Sequence, residues 1–244
     1  MSNDNRVALI SGSTQGIGKE ISRRFVQDGW KVIQNSRSLI PKLDIIGSQH
    51  ITADVTNLKE CVFLVESVLK EFGSIDALVC NVGSGLNVGL EFSSTERWEH
   101  YLNANLNSAS SLISAALDAL LESKGSVTAI SSICSLAAIE GAPIEYSAAK
   151  AALNSYFKSL AIKHAISGVR FNIVAPGNVI FPGSTWDQKL KIDSAGTNSY
   201  ISANVPMGGF VNPEEIAAAV AFLASKESNS TTGAVLVIDR GQTI

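Results

Sequence analysis

Tyr146 and Lys150 stand four residues apart in Tyr-Ser-Ala-Ala-Lys, downstream of Ser131-Ser132 and of the glycine run Gly12-Ser13-Thr14-Gln15-Gly16-Ile17-Gly18. If residues 145–165 are helical, an i,i+4 pair shares one face and the Lys150 ammonium can stand close to the Tyr146 phenol. A nearby cation favours phenolate, so the phenol would titrate below its usual value of about 10, nearer the range in which a general acid/base is efficient. On a solvated helix the same spacing does nothing. The surrounding elements decide whether this pair sits in a site.

Apolar runs alternate along the chain with longer segments of helical period. Residues 7–10, 31–34, 77–80, 126–130, 169–174 and 234–238 read as strands. Residues 50–53 are a weaker candidate, ending at Asp54 before a helix that Thr56 or Asn57 could cap. Short, nearly all-apolar strands separated by amphipathic helices indicate a parallel sheet buried on both faces, hence a doubly wound α/β fold. The pattern breaks once, over residues 178–212, where Gly, Pro, Ser and Thr accompany scattered Trp186, Leu190 and Met207. Such a stretch is far longer than an ordinary structureless loop and reads as a functional or disordered excursion.

A chain of 244 residues is compatible with one large domain and a well-buried core. The formal net charge is -3, with both signs spread along the sequence, so no basic stripe points to nucleic acid. Small molecules are the expected partners. The polar start Met-Ser-Asn-Asp-Asn-Arg and the lack of a long apolar run lead to the expectation of a soluble, cytoplasmic protein with no membrane partner. Cys61, Cys80 and Cys134 are widely separated, which fits reduced, buried thiols. No His, Cys or carboxylate cluster has ligand spacing, so no metal is expected.

Residues 7–10 run into Ser11-Gly12 and then into a helix beginning near Gly16. Strand, glycine turn and helix together bring backbone N–H groups and a helix N-terminus up to a pyrophosphate. The spacing Gly-x-x-x-Gly-x-Gly departs from the usual dinucleotide fingerprint. It resembles the glycine motif of the classical short-chain dehydrogenase/reductase family, which begins Thr-Gly where this chain has Ser11-Gly12. NAD-specific dinucleotide folds place a carboxylate at the end of the second strand to bind the ribose 2′-hydroxyl. Here Ser36-Arg37 follows that strand, and an arginine can accept a 2′-phosphate, so NADP(H) is expected over NAD(H). Gln15 stands where the family often has a second basic residue.

The resemblance extends along nearly the whole chain. Asp54-Val55 is similar to the family's adenine-contacting pair, although Asp54 could equally start a turn. Asn81-Val82-Gly83 resembles its Asn-Ala-Gly motif, and Ala175-Pro176-Gly177 its turn beside the nicotinamide. The family's carboxamide-binding threonine is replaced by Phe181, so that Ser184 or Thr185 substitutes or the contact is absent. Asp239-Arg240-Gly241 stands where the last strand commonly ends in Asp-Gly-Gly. Cofactor contacts are thereby implied for Gly12, Ser13, Thr14, Gly16, Ile17, Gly18, Ser36, Arg37, Asp54, Val55, Asn81, Gly83, Tyr146, Lys150, Pro176, Gly177 and Val179.

The resemblance also implies the chemistry. Tyr146 is the acid/base; Lys150 lowers its pKa and binds the nicotinamide ribose. Ser132 polarises the carbonyl, with Ser135 as a rival, and one extra residue must be absorbed over 137–144. Asn105 holds a water in a proton relay to Lys150, with Asn103 and Asn107 as competitors. The expected fold is a Rossmann-type three-layer α/β/α sandwich in a single domain over 1–244, with strand order 3-2-1-4-5-6-7. The expected activity is NADP-dependent carbonyl reduction or alcohol oxidation, on a β-ketoacyl thioester, a sugar or polyol, or another small ketone. Specificity should reside in 84–92 and in a lid over 178–212. Helices in 94–122 and 145–165 resemble those that pair in family homodimers and homotetramers. The rival reading is a dinucleotide-binding regulator without turnover, against which the intact Ser132, Tyr146 and Lys150 argue.

Overall fold

The computed structural model describes residues 5–39, 44–86 and 94–244. Seven strands form one parallel sheet: β1 (Val7–Ile10), β2 (Lys31–Ser36), β3 (Ser48–Thr52), β4 (Ala77–Cys80), β5 (Ser126–Ile130), β6 (Arg170–Pro176) and β7 (Val235–Ile238). Their spatial order is β3-β2-β1-β4-β5-β6-β7. The chain reverses direction across the sheet beside β1, which pairs with both β2 and β4. In an open α/β sheet, the crevice at the carboxyl ends of strands flanking such a switch is where ligands bind.

Alternation along each strand builds two cores. Val7 and Leu9 of β1 join Leu78, Cys80, Val127 and Ala129 beneath α2 (Leu58–Phe72), α4 (Ser108–Ser123) and α5 (Ile144–His164). Ala8 and Ile10 point the other way, joining Ala77 and Val79 beneath α1 (Gly16–Gln27) and α8 (Pro213–Ala224). This period-two division makes β1 and β4 apolar at every position. Asn57 caps α2, its side chain accepting from Lys59 N at 3.0 Å. At α8 a capping box forms around Asn212, whose backbone N–H donates to Glu215 at 2.7 Å, and Pro213 takes the first helical position.

Two segments differ from the sequence expectation. Residues 178–212 contain two helices, α6 (Thr185–Ile192) and α7 (Ser194–Asn204). Ser184 and Asp193 cap them by accepting from Asp187 N and Gly196 N. Both helices are largely exposed, so they carry too few apolar positions for a helical period to show. Their apolar contacts are local: Trp186 stacks on Tyr200 with ring centroids 5.4 Å apart, and Phe210 lies 5.7 Å from Trp186. The second segment is the expected helix over 94–122, which divides into α3 (Ser94–Leu102), a wider π-turn over Asn103–Asn107, and α4. Of the expected specificity segment 84–92, residues 87–92 lie outside the described residues.

Candidate active site

At the carboxyl end of β1 the glycine loop leads straight into α1. Gln15 precedes the helix without offering a side-chain cap, so the first N–H groups of α1 keep no side-chain acceptor and face the crevice. Gly18 is required by close approach: a Cβ there would lie 2.6 Å from both Asn81 Nδ2 and Gly12 O. Asn81 in turn donates to Ser11 O at 3.0 Å and Gly12 O at 2.9 Å, fixing the loop from the end of β4. An uncapped helix start and a backbone-walled cradle fit the pyrophosphate of a dinucleotide.

Some expected cofactor residues have other partners in the chain. Ser13 is fully buried, donating to Ile10 O and accepting from Asn35 N, so its hydroxyl ties the loop to β2. Ser36 donates to Ser38 O and meets His50 Nε2 at 2.8 Å. Arg37, next along, is exposed just past the end of β2. Asp54 accepts from Thr56 N and Thr56 Oγ1, which is the turn reading. Val55 is core, so only its backbone can face a cofactor. Val82 packs on the apolar layer and lies against Gly12. Thr14 and Ile17 remain half-buried, with Ile17 in the pocket wall.

The catalytic candidates meet one crevice further along. Ser131 and Ser132 end β5, and a short turn, Ile133–Ser135, follows. Ser132 Oγ accepts from Cys134 N at 3.2 Å and shares the pocket wall with Tyr146, near enough to draw down the pKa of its phenol. Ser131 instead donates to Ser135 Oγ at 3.3 Å, and Ser135 donates back to the Ser132 carbonyl. The rival Ser135 therefore supports the loop, with Asn154 of α5 donating to it at 2.7 Å. Lys150 is buried and its Nζ donates to Ile130 O at 2.8 Å.

One electrostatic expectation is reversed. The Tyr146 phenol is pushed up to about 12, chiefly by desolvation, with the hydrogen bond to Ser132 opposing the shift. Lys150 is drawn down to about 8, again by desolvation. Burial outweighs mutual attraction here because the ammonium points past the ring to β5 and Gly83, so it does not lower the phenol.

Asn105 lies in the π-turn and is wholly buried, whereas Asn103 and Asn107 are exposed. Its amide donates to Tyr101 O and Ser84 O and accepts from Ser84 N, each at 3.0 Å. The extra residue in the turn aims this side chain inward, a common use of π-bulges at functional sites. Asn105 and Lys150 converge on Gly83, where a Cβ would stand 2.7 Å from Asn105 Oδ1 and 2.8 Å from Lys150 Nζ.

A pocket of about 400 Å³ joins the two halves, running from Gln15 and Ile17 past Ser132, Tyr146 and Lys150 to Pro176, Gly177 and Val179. Phe181 packs on the glycine loop, where its ring would meet any Cβ on Gly16. Ser184 accepts as the α6 cap, and both it and Thr185 line the pocket at that corner. Asn178, Glu140, Lys189 and Tyr200 also line the pocket and had not been singled out from sequence. No spacing marks them, because they stand on turns and short helices.

Comparison with known proteins agrees with this geometry. The family described as Enoyl-(Acyl carrier protein) reductase matches residues 12–243. Glucose 1-dehydrogenase 2 of Bacillus subtilis is 30% identical over 251 residues, covering 98% of this chain and 95% of that protein. The 3-oxoacyl-(acyl-carrier-protein) reductase FabG of Salmonella typhimurium is 32% identical over 247 residues, covering 99% and 98%. Among solved structures, ligand-free aldohexose dehydrogenase of Thermoplasma acidophilum superposes with TM-score 0.88 at 30% identity, over 98% of this chain and 94% of that one. The Pseudomonas aeruginosa RhlG/NADP active-site complex gives 0.89 at 28% identity, over 100% and 98%. The chain belongs to the classical short-chain dehydrogenase/reductase family and is an NAD(P)-dependent oxidoreductase.

Proposed function

We propose that the protein, as one domain over 1–244, reduces a ketone carbonyl with NADPH, and that Ser132, Tyr146, Lys150 and Asn105 carry the reaction. The observation behind this reading is the meeting of Ser132 and Tyr146 in a pocket continuous with the uncapped start of α1. The bound nicotinamide supplies the hydride for the carbonyl carbon. The chain supplies the rest. Ser132 donates a hydrogen bond to the carbonyl oxygen, and the Tyr146 phenol, protonated at neutral pH, gives that oxygen its proton. Lys150 replaces the proton from its ammonium through water held by Asn105. Its buried charge also favours the developing oxyanion.

The preference for NADPH over NADH rests on Arg37 at the end of β2, with no carboxylate beside it. Pyrophosphate contacts come from backbone N–H groups of residues 12–18, and nicotinamide contacts from Pro176, Gly177 and Val179. Residues 178–212, carrying α6 and α7, serve as the lid that excludes water from the reacting carbonyl. Exposed Ile144 and Ile162 on α5 support association into a homodimer or homotetramer. Three free cysteines suit a reducing compartment such as the cytoplasm.

Absorbance at 340 nm, followed over a panel of β-ketoesters, hydroxyketones and oxidised sugars with NADPH and with NADH, tests the reading. Turnover with NADPH on at least one ketone class is expected. Tight NADPH binding with no turnover on any class would favour a regulator that kept the fold alone.

A further inference from the structure

Asn178 follows the Pro176-Gly177 turn, and its backbone is held while its amide nitrogen is not. Val211 N donates to its carbonyl oxygen at 2.9 Å, and Ile180 N donates to Val211 O at 3.0 Å. The backbone is therefore in parallel pairing around Val179, and consecutive side chains leave on opposite faces. Val179 enters the apolar layer beneath α1 and α8. Asn178 lines the pocket shared by Ser132, Tyr146 and Lys150, whose wall Val179 also reaches. Only 6% of it is exposed, and among the described residues its buried Nδ2 has no acceptor. Unpaired buried amides are unfavourable and rare, so one that lines a reaction pocket points to a ligand contact.

We propose that Asn178 reads a second oxygen on the substrate, one borne close to the carbonyl that is reduced. The ligand class is oxygenated carbonyl compounds, hydroxyketones and ketoesters, taken in preference to hydrocarbon ketones. A primary amide is suited to this, because a half-turn of its end presents either a donor to a carbonyl or an acceptor to a hydroxyl. A substrate without that oxygen leaves the buried amide unpaired, which is the condition under which a polar pocket discriminates strongly. This inference rests on the carbonyl-reductase reading above.

The test compares matched ketones with NADPH: 2-hydroxycyclohexanone against cyclohexanone, and ethyl acetoacetate against 2-hexanone. For the wild type, kcat/KM should favour the oxygenated member of at least one pair by roughly tenfold or more. In Asn178→Leu that ratio should fall to about threefold or less. The kcat/KM for the plain ketone should fall less than for its oxygenated partner, and the NADPH dissociation constant from protein fluorescence should be unchanged. Asn178→Ala should give the same collapse and serves if the leucine variant does not fold. A ratio that survives both substitutions overturns the proposal. So does a loss confined to NADPH affinity, which would assign the amide to the cofactor, and so does a wild type that shows no preference. Wild-type inactivity on all four ketones and on the wider panel would sink the reductase reading itself, and this inference with it.

Discussion

The ammonium of Lys150 donates to the carbonyl oxygen of Ile130 at 2.8 Å, tying the middle of α5 to the last residue of β5, just before Ser131 and Ser132. The tie fixes the two elements that carry the proposed catalytic residues relative to each other, and it takes a cation into the interior to do so. Burial lowers the Lys150 pKa to about 8 from its ordinary value of 10.5. Between those values the unfolded chain binds more protons than the folded one, so this group makes stability rise with pH across that window. Below it, the full cost of the buried charge is present. Relative to Lys150→Met, the melting temperature of the wild type should therefore improve by roughly 4–8 °C between pH 8 and pH 10. Scanning calorimetry of both proteins across that range checks it; a gap independent of pH would mean that Lys150 is not desolvated in solution.

Gly83 is the point on which Asn105 and Lys150 converge, and neither of the two side chains can yield without leaving its hydrogen bonds. Gly83→Ala should lower kcat by about a hundredfold through misplacement of the relay, while the fold survives. Steady-state NADPH oxidation and circular dichroism read the two effects separately. A kcat within threefold of wild type would show that the relay does not pass this point.

Much of this could be read from residue order, and the reasons differ by element. The inner strands were legible because Val7–Ile10 and Ala77–Cys80 are apolar at every position, as burial between two helical layers demands. Tyr146 and Lys150 were legible because a four-residue spacing survives in any helix. The helices α6 and α7 were not, since exposed helices held by side-chain caps and a few ring contacts leave no apolar period. The titration of Tyr146 was misjudged for a related reason: i,i+4 spacing gives proximity, whereas desolvation and the direction of Nζ depend on what β5 and Gly83 place around the pair. Asn178 carries no signal in the sequence at all.

Arg37 is exposed just past β2, where a 2′-phosphate would lie under the present reading. Charge-assisted pairing is worth on the order of 1.5–3 kcal/mol, so Arg37→Ala should weaken NADPH binding roughly tenfold to a hundredfold. NADH binding should hardly change. Fluorescence titration with each cofactor decides the matter, and equal losses for both would remove Arg37 from the 2′-phosphate site.

The two serines at the end of β5 have different partners, so their substitutions should differ in effect. Ser132→Ala removes the hydroxyl that reaches Tyr146 and should cut kcat by about 10²–10³. Ser131→Ala loses a 3.3 Å hydrogen bond to Ser135 and should cost much less. Parallel kinetics on the preferred ketone give the ranking, and the reverse order would transfer the carbonyl contact to Ser131.

The central claim is that the Tyr146 phenol is the proton donor, and Tyr146→Phe removes only that group from the pocket. General acid catalysis contributes about 10²–10⁴ in rate, so turnover of any ketone reduced by the wild type should fall by at least that order. NADPH affinity, measured by fluorescence on the same preparation, should stay near the wild-type value. Activity within about tenfold of wild type on such a ketone would contradict the account, because less than a general acid's usual share would have been lost.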